Sequence, residues 1–399
     1  MPLLPPLVSP EELRDRLGDE RVRVFDTTVF LRRPVGGGPY TVESGRESYA
    51  RGHIPGAGFA DIPGALSDPA SPYAFTLPAA EHFAAAAGRL GIGDGTHVVA
   101  YAQDTPMWAT RLWWLLRYFG HDDTSVLDGG LAAWRAADGP VEPGQSTYPP
   151  ASFTARPRPE LLARLADVRE ITENGSACLV NALSPEAFRG QGPGAYSRPG
   201  RIPGSVNVPW NGLVDAATNR FRPPAELAAA LGGGGVRADQ PVVAYCGGGI
   251  SATVDLFALW LTGRDDARLY DGSLTEWSAD PGPAPPFRLT RQIAGLWASD
   301  DASGAGPGYG PGHPGRRVCP CGGCRHVLLL RTACVCASIA YGLSGRLRDE
   351  KPTGTLLLPV RPRARHGRLL NGQMTGPGGS ARRRRRPGRR LRRRAGRVR

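Results

Sequence analysis

Pro241-Val242-Val243-Ala244-Tyr245-Cys246-Gly247-Gly248-Gly249-Ile250-Ser251-Ala252-Thr253 reads as a strand, a tight loop and the start of a helix. The apolar run Val242–Tyr245 is short and bounded by proline and glycine, the mark of a buried strand. The segment that follows, residues 251–262, is expected to be helical. Open α/β sheets gather their chemistry beyond the carboxyl ends of their strands, and Cys246 stands at that place. The helix start turns unpaired N–H groups and the positive end of its dipole toward the sulfur. Glycines at 247–249 let further N–H groups turn inward. Each feature favours the thiolate, which is the nucleophilic form. The competing reading is a structural cysteine in a core strand, because free cysteine is among the most buried residue types.

The rest of the chain decides between the two. Val242-Val243-Ala244-Tyr245 repeats Val98-Val99-Ala100-Tyr101 at an offset of 144 residues. Asp271-Gly272-Ser273-Leu274-Thr275-Glu276-Trp277 repeats Asp128-Gly129-Gly130-Leu131-Ala132-Ala133-Trp134 at an offset of 143. Gly200-Arg201-Ile202-Pro203-Gly204-Ser205 echoes Gly52-His53-Ile54-Pro55-Gly56-Ala57. A near-constant offset over several motifs means two homologous units. Short strands alternate with helices, so the fold class is α/β with a mainly parallel sheet in each unit. Ser9-Pro10-Glu11-Glu12 opens the first helix with a capping box and a proline at its first position. Residues 159–172 are expected to form one helix. Aligning the Val-Val-Ala-Tyr strands sets Cys246 against Ala102. The first loop, Ala102-Gln103-Asp104-Thr105-Pro106, has neither the cysteine nor the glycines. The cysteine arrives together with its glycine cradle, which a packing residue does not require.

Charge divides the chain elsewhere. Residues 291–399 carry 24 Lys and Arg against 4 Asp and Glu, leaving 25 and 32 in residues 1–290. The front is therefore a mildly acidic globular body and the end is a basic appendage. Only Cys178 and Cys246 lie in that body, too few for a disulfide scaffold. Met1-Pro2-Leu3-Leu4-Pro5-Pro6 lacks the basic region, apolar core and cleavage site of a signal peptide. No apolar run reaches the roughly 18 residues of a membrane span. The expected setting is the cytoplasm, with no membrane contact.

The Gly52–Ala57 and Gly200–Ser205 turns, the two Asp-Gly-x-Leu-x-x-Trp turns and the Cys246 loop together resemble the two-domain rhodanese-type sulfurtransferases. That family includes thiosulfate and 3-mercaptopyruvate sulfurtransferases, and the resemblance covers residues 8–280. It implies two tandem rhodanese-like domains: a catalytically silent one over 8–140, a linker over 141–159 and a catalytic one over 160–282. A Gly/Pro/Arg-rich tail over 283–399 follows and is expected to be disordered. The resemblance also implies that Cys246 takes sulfur from a small anionic donor and holds it as a persulfide. A thiol or cyanide acceptor then removes it. N–H groups of Gly247, Gly248, Gly249, Ile250 and Ser251 would hold the persulfide anion.

Anionic donors call for cations, so Arg189, Arg198 and Arg201 are substrate-binding candidates. Arg189 lies in Phe188-Arg189-Gly190, similar to the family's substrate-arginine segment. His53 matches a histidine that supports proton transfer in mercaptopyruvate enzymes. The plain alternatives are solvated arginines and a histidine that caps the Ile-Pro-Gly bend. The loop departs from both branches of the family. Thiosulfate enzymes usually carry basic residues in it, and this loop has none. Mercaptopyruvate enzymes usually read Cys-Gly-Ser-Gly, and the serine position here is Gly248. Asp271 is expected to cap the helix after it. Asn181 stands where the family often has aspartate.

Cys319, Cys321, Cys324, Cys334 and Cys336 have a Cys-x-Cys second pair that fits one tetrahedral zinc site poorly, so no metal or other cofactor is expected. The arginine block Arg382–Arg394 suits non-specific polyanion binding. Two other function classes use the same features. One is a non-catalytic persulfide carrier built on the same loop. The other is a polyanion-binding protein acting through its tail.

Overall fold

Each Val-Val-Ala-Tyr run becomes the central strand of a five-stranded parallel sheet. The computed structural model describes residues 3–32, 40–191 and 196–281. The tail, with its expected disorder, its five cysteines and its arginine block, lies outside the described residues. The first unit contains β1 (Leu7–Val8), β2 (Val22–Asp26), β3 (Val29–Arg32), β4 (Thr41–Ser44), β5 (Gly58–Phe59), β6 (His97–Tyr101) and β7 (Thr124–Leu127). Its sheet runs β1-β7-β6-β2-β5, and β3 and β4 form a separate antiparallel pair. The second unit contains β8 (Leu162–Ala163), β9 (Cys178–Asn181), β10 (Val206–Asn207), β11 (Val242–Tyr245) and β12 (Arg268–Tyr270). Its order, β10-β9-β11-β12-β8, is the first order read in reverse, strand for strand.

Parallel neighbours need crossovers, and helices supply them. These are α1 (Pro10–Arg14), α2 (Arg46–Arg51), α3 (Ala80–Arg89), α4 (Met107–Tyr118) and α5 (Gly130–Ala136) in the first unit. The second has α6 (Leu165–Asn174), α7 (Pro185–Phe188), α8 (Pro224–Gly233), α9 (Ala252–Leu261) and α10 (Ser273–Ala279). The capping box at Ser9 is present, with Ser9 N–H donating to Glu12 Oε2 at 2.8 Å and Glu12 N–H to Ser9 Oγ at 3.2 Å. The expected helix over 159–172 is not continuous. A 3-10 turn over Pro159–Leu161 leads into β8, which pairs with β12, and only then does α6 begin. Leu162 and Ala163 complete the sheet edge, and that tertiary pairing overrides the local helical bias.

The repeated tyrosine has one job in both units. Tyr101 Oη accepts from Ile54 N–H at 3.3 Å, and Tyr245 Oη accepts from Ile202 N–H at 3.1 Å. Each Ile-Pro-Gly turn is thereby fastened to its central strand. The units meet through α4 and α9, where Thr110 and Thr253, 143 residues apart, join hydroxyls at 2.8 Å. Asp128 Oδ1 accepts from Phe221 N–H at 2.8 Å, and Asp271 Oδ2 accepts from Leu77 N–H at 2.7 Å. This reciprocity is that of an approximate twofold axis between the threonines. A single apolar core runs across it, with Trp113 edge-on to Phe257 at 4.9 Å.

Candidate active site

β11 ends at Tyr245, so Cys246 leaves the sheet at its carboxyl edge, and the loop runs to Ser251 before α9 begins. The cysteine is free and 2% exposed. Its own N–H donates to Ser273 Oγ at 3.0 Å, and Gly249 N–H donates to the same oxygen at 3.1 Å. The Ser273 hydroxyl in turn donates to the Tyr270 carbonyl at 2.8 Å. One side chain therefore ties both ends of the Cys-Gly-Gly-Gly turn to the end of β12. The Cys246 carbonyl accepts from Leu274 N–H at 3.1 Å. The Gly247 carbonyl accepts from Thr275 N–H at 2.9 Å and from its hydroxyl at 2.7 Å.

Two positions in this assembly have left-handed backbone. Gly249 has φ +75°, and a Cβ there would sit 2.6 Å from Asp271 Oδ1, so glycine is required. Ser273 has φ +50°, a region where non-glycine residues are uncommon. Its counterpart at the repeat offset is Gly130, with φ +58°. A strained serine placed where the first unit keeps glycine marks a site at which the hydroxyl matters.

Charge around the loop is buried and asymmetric. Arg111, 0% exposed, reaches from α4 of the first unit to Asp271 Oδ1 at 2.6 Å and to the Gly249 carbonyl at 3.2 Å. Asp271 was expected to cap α10. Instead it joins Arg111 and the Leu77 N–H across the interface, and α10 has no side-chain cap. Asp255 on α9 is fully buried, and among the described residues neither carboxylate oxygen has a hydrogen-bond partner. Burial, reinforced by the Cys246 charge, holds its carboxyl well above the usual carboxylate range. The other body cysteine, Cys178, sits at the start of β9, where burial pushes its thiol up.

The rhodanese-like domain matches residues 9–137 and 158–280. The chain belongs to the rhodanese family. Human 3-mercaptopyruvate sulfurtransferase is 36% identical over 271 residues, covering 67% of this chain and 88% of that protein. Rat thiosulfate sulfurtransferase is 37% identical over 240 residues, covering 58% and 79%. The crystal structure of a 3-mercaptopyruvate sulfotransferase from Escherichia coli superposes with a TM-score of 0.59 at 32% identity, covering 67% of this chain and 98% of that one. This rhodanese is a sulfurtransferase.

In this rhodanese Gly247 to Ser251 form the loop that leads from Cys246 to α9, and the Gly249 N–H is taken by Ser273 Oγ. The structure does not bring in His53, whose side chain is fully buried in the first unit. Its Nδ1 lies 3.0 Å from the Tyr49 carbonyl, its Nε2 lies 3.5 Å from Glu142, and its ring stacks on Tyr49. The ring is fastened to the end of α2, and the Ile-Pro-Gly bend is tied instead by Glu142, which accepts from Gly56 N–H at 2.8 Å. Arg198 donates to the carbonyls of Trp277 at 2.6 Å and Asp280 at 2.9 Å, fastening its segment to the end of α10. The same segment lays the Tyr196 hydroxyl against Gly247, where a Cβ would collide with it. Arg189 pairs with Glu186 at 3.3 Å and Gln191 at 3.1 Å. Arg201 lies over the Phe188 ring at 4.5 Å. All three arginines are exposed on the second unit.

Sequence reasoning missed Arg111, Ser273 and Asp255. The signal was in the repeat. At the offset of the paired threonines, Ser273 faces Gly130, Arg111 faces Val254 and Asp255 faces Leu112. Each is a polar residue where its counterpart is glycine or apolar.

Proposed function

We propose that Cys246 carries sulfur as a persulfide, with 3-mercaptopyruvate as donor. The supporting observation is the double fastening of the loop by Ser273, whose Oγ takes the Cys246 and Gly249 N–H groups and so fixes the loop before any substrate arrives; the N–H groups proposed for the anion are those of Gly247, Gly248, Ile250 and Ser251. A preorganised cradle stabilises an anion without reorganising at the moment of reaction. The thiolate attacks the donor sulfur, and the carbon–sulfur bond breaks. Its electron pair leaves on the enolate of pyruvate, which takes a proton. The new S–S bond leaves an outer sulfur that a thiol or cyanide then removes, regenerating the Cys246 thiolate. The exposed Arg189 and Arg198 would meet the donor carboxylate as it enters. A loop without basic residues suits a carboxylate donor held outside it better than thiosulfate held within it.

Relatives named as transferases favour turnover over passive carriage. Among the described residues no helix is long and apolar enough to cross a membrane. Two free body cysteines suit a reducing setting such as the cytoplasm. The test is a cyanide-acceptor assay with 3-mercaptopyruvate and thiosulfate in parallel, on wild type and Cys246→Ala. The mercaptopyruvate rate should exceed the thiosulfate rate and vanish in the variant. Turnover surviving in Cys246→Ala would sink the persulfide, and a faster thiosulfate rate would reverse the donor.

A further inference from the structure

We infer that Arg111, from the catalytically silent unit, is a positioning residue for the Cys246 cradle. The inference rests on the reading that Cys246 is the reactive thiol. Three acceptors converge on one guanidinium. Arg111 Nη1 donates to Asp271 Oδ1 at 2.6 Å and to the Gly249 carbonyl at 3.2 Å, and Nη2 donates to the Phe75 carbonyl at 2.5 Å. Asp271 and Gly249 belong to the second unit, and Arg111 and Phe75 to the first. A rigid planar fork can hold several acceptors at once in a way that a lysine ammonium cannot.

The bond to the Gly249 carbonyl sets a peptide plane. In a trans peptide the following N–H points opposite to the carbonyl. With the carbonyl drawn toward Arg111, the Ile250 N–H turns away from the interface and into the loop. Asp271 keeps the guanidinium in register, and the left-handed backbone of Gly249 lets the chain make the turn. The twofold arrangement makes the arginine conspicuous. Thr110 and Thr253 mate across the axis as equivalents, so the counterpart of Arg111 is Val254, on α9. The corresponding loop of the first unit receives no guanidinium among the described residues; the second unit reaches it with the neutral amide of Asn219, which donates to the Asp104 carbonyl at 2.7 Å. The residue has been placed in the inactive unit, on the side that faces the active loop, so the silent unit completes the site.

The test uses the full chain with Arg111→Lys and the double variant Arg111→Met/Asp271→Asn. The double variant removes both charges, so that neither is left buried alone. Iodoacetamide labelling of the Cys246 peptide, followed by mass spectrometry across pH, reads the cradle without any sulfur donor. In both variants the labelling profile should move up by about one pH unit, a roughly tenfold loss of reactive thiolate at neutral pH. Turnover should fall by a similar factor in kcat, with KM changed less than twofold or so. A folded variant of either kind, melting near wild type, with a wild-type labelling profile and wild-type kcat, overturns the assignment. Should the double variant not fold, Arg111→Lys decides, because it keeps the charge and loses the fork. Should Cys246→Ala retain turnover, the persulfide reading fails, while the labelling profile still judges Arg111.

Discussion

Asp255 stands out among single residues because a buried carboxyl without a partner is costly. It occupies the position that Leu112 fills in the silent unit. Its folded-state carboxyl is held above the usual range by burial and by the Cys246 charge, whereas an unfolded chain ionises it normally. The folded state therefore binds the proton more tightly. The resulting stabilisation is full below the ordinary carboxylate range and is lost progressively as pH rises from that range to the raised folded-state value. Asp255→Asn removes that dependence. Its melting temperature should match wild type near pH 4 and exceed it by roughly 3 °C or more at pH 7.5. His97, which burial lowers to about 4, acts in the opposite sense below its usual range, but it is present in both proteins and cancels in the difference. Parallel melting curves across that pH span would show that Asp255 is paired after all. The loop glycines make a second contrast. A Cβ on Gly248 would find its nearest neighbours at 3.9 to 4.0 Å, ordinary contact distances. Gly248→Ser should fold with stability within about 0.5 kcal/mol of wild type. If the added hydroxyl reaches the donor, mercaptopyruvate turnover should rise about threefold or more, the worth of one added hydrogen bond. Gly249→Ala should lose turnover by an order of magnitude or more, because its Cβ meets Asp271 at 2.6 Å in a backbone region that alanine resists. Steady-state rates on the two variants would separate these outcomes.

Among the elements, the junction of β12 with α10 organises the site, and here Ser273→Gly is informative. Glycine takes the φ of +50° without strain and copies Gly130, so the junction should keep its shape. What it loses is the acceptor shared by the Cys246 and Gly249 N–H groups. The expectation is a melting temperature within a few degrees of wild type and turnover lower by about tenfold, less than the roughly hundredfold or more for losing an anion donor itself, because Ser273 positions the loop and does not touch the anion. A variant that melts much lower with turnover per folded molecule unchanged would make Ser273 purely structural. The same element shows why some of the site was legible and some was not. Cys246 could be read because strand, thiol and glycines are contiguous, and because Ala102 displays the same scaffold without them. The sheets could be read because Val-Val-Ala-Tyr and Asp-Gly-x-Leu recur at nearly one spacing. β8 could not, since two residues carry no period and only the neighbouring β12 makes Leu162–Ala163 a strand. Arg111 could not, because an arginine among the tryptophans of α4 has no local signature. Its partners in the second unit are 138 and 160 residues away. For His53 the family motif fixes position in the chain and not exposure, so only the structure shows Tyr49 and Glu142 enclosing the ring.

At the scale of the whole molecule, chemistry and charge lie in different parts of the chain. Every contact that builds the cradle falls between Phe75 and Thr275, and the rhodanese-like match ends at residue 280. Among the described residues the last structural tie of the second unit is Asp280, which pairs with Arg169 and whose carbonyl receives Arg198. A chain ending after Pro281 therefore retains both cores, the interface and the loop. It should transfer sulfur to cyanide at a rate within about twofold of the full chain, as expected for domains with intact cores. The tail concentrates the net positive charge, since residues 291–399 hold 24 of the 49 basic residues and only 4 of the 36 acidic ones. Its removal leaves an acidic body, so retention on a heparin column at low salt should be lost while turnover persists. For the full chain, that retention should weaken steeply with added salt, as counterion release requires. If truncation instead abolished turnover in a chain that still melts cooperatively, the tail would have to supply part of the site. The two-unit body would then not be the complete catalyst that its closed interface and doubly fastened loop make it.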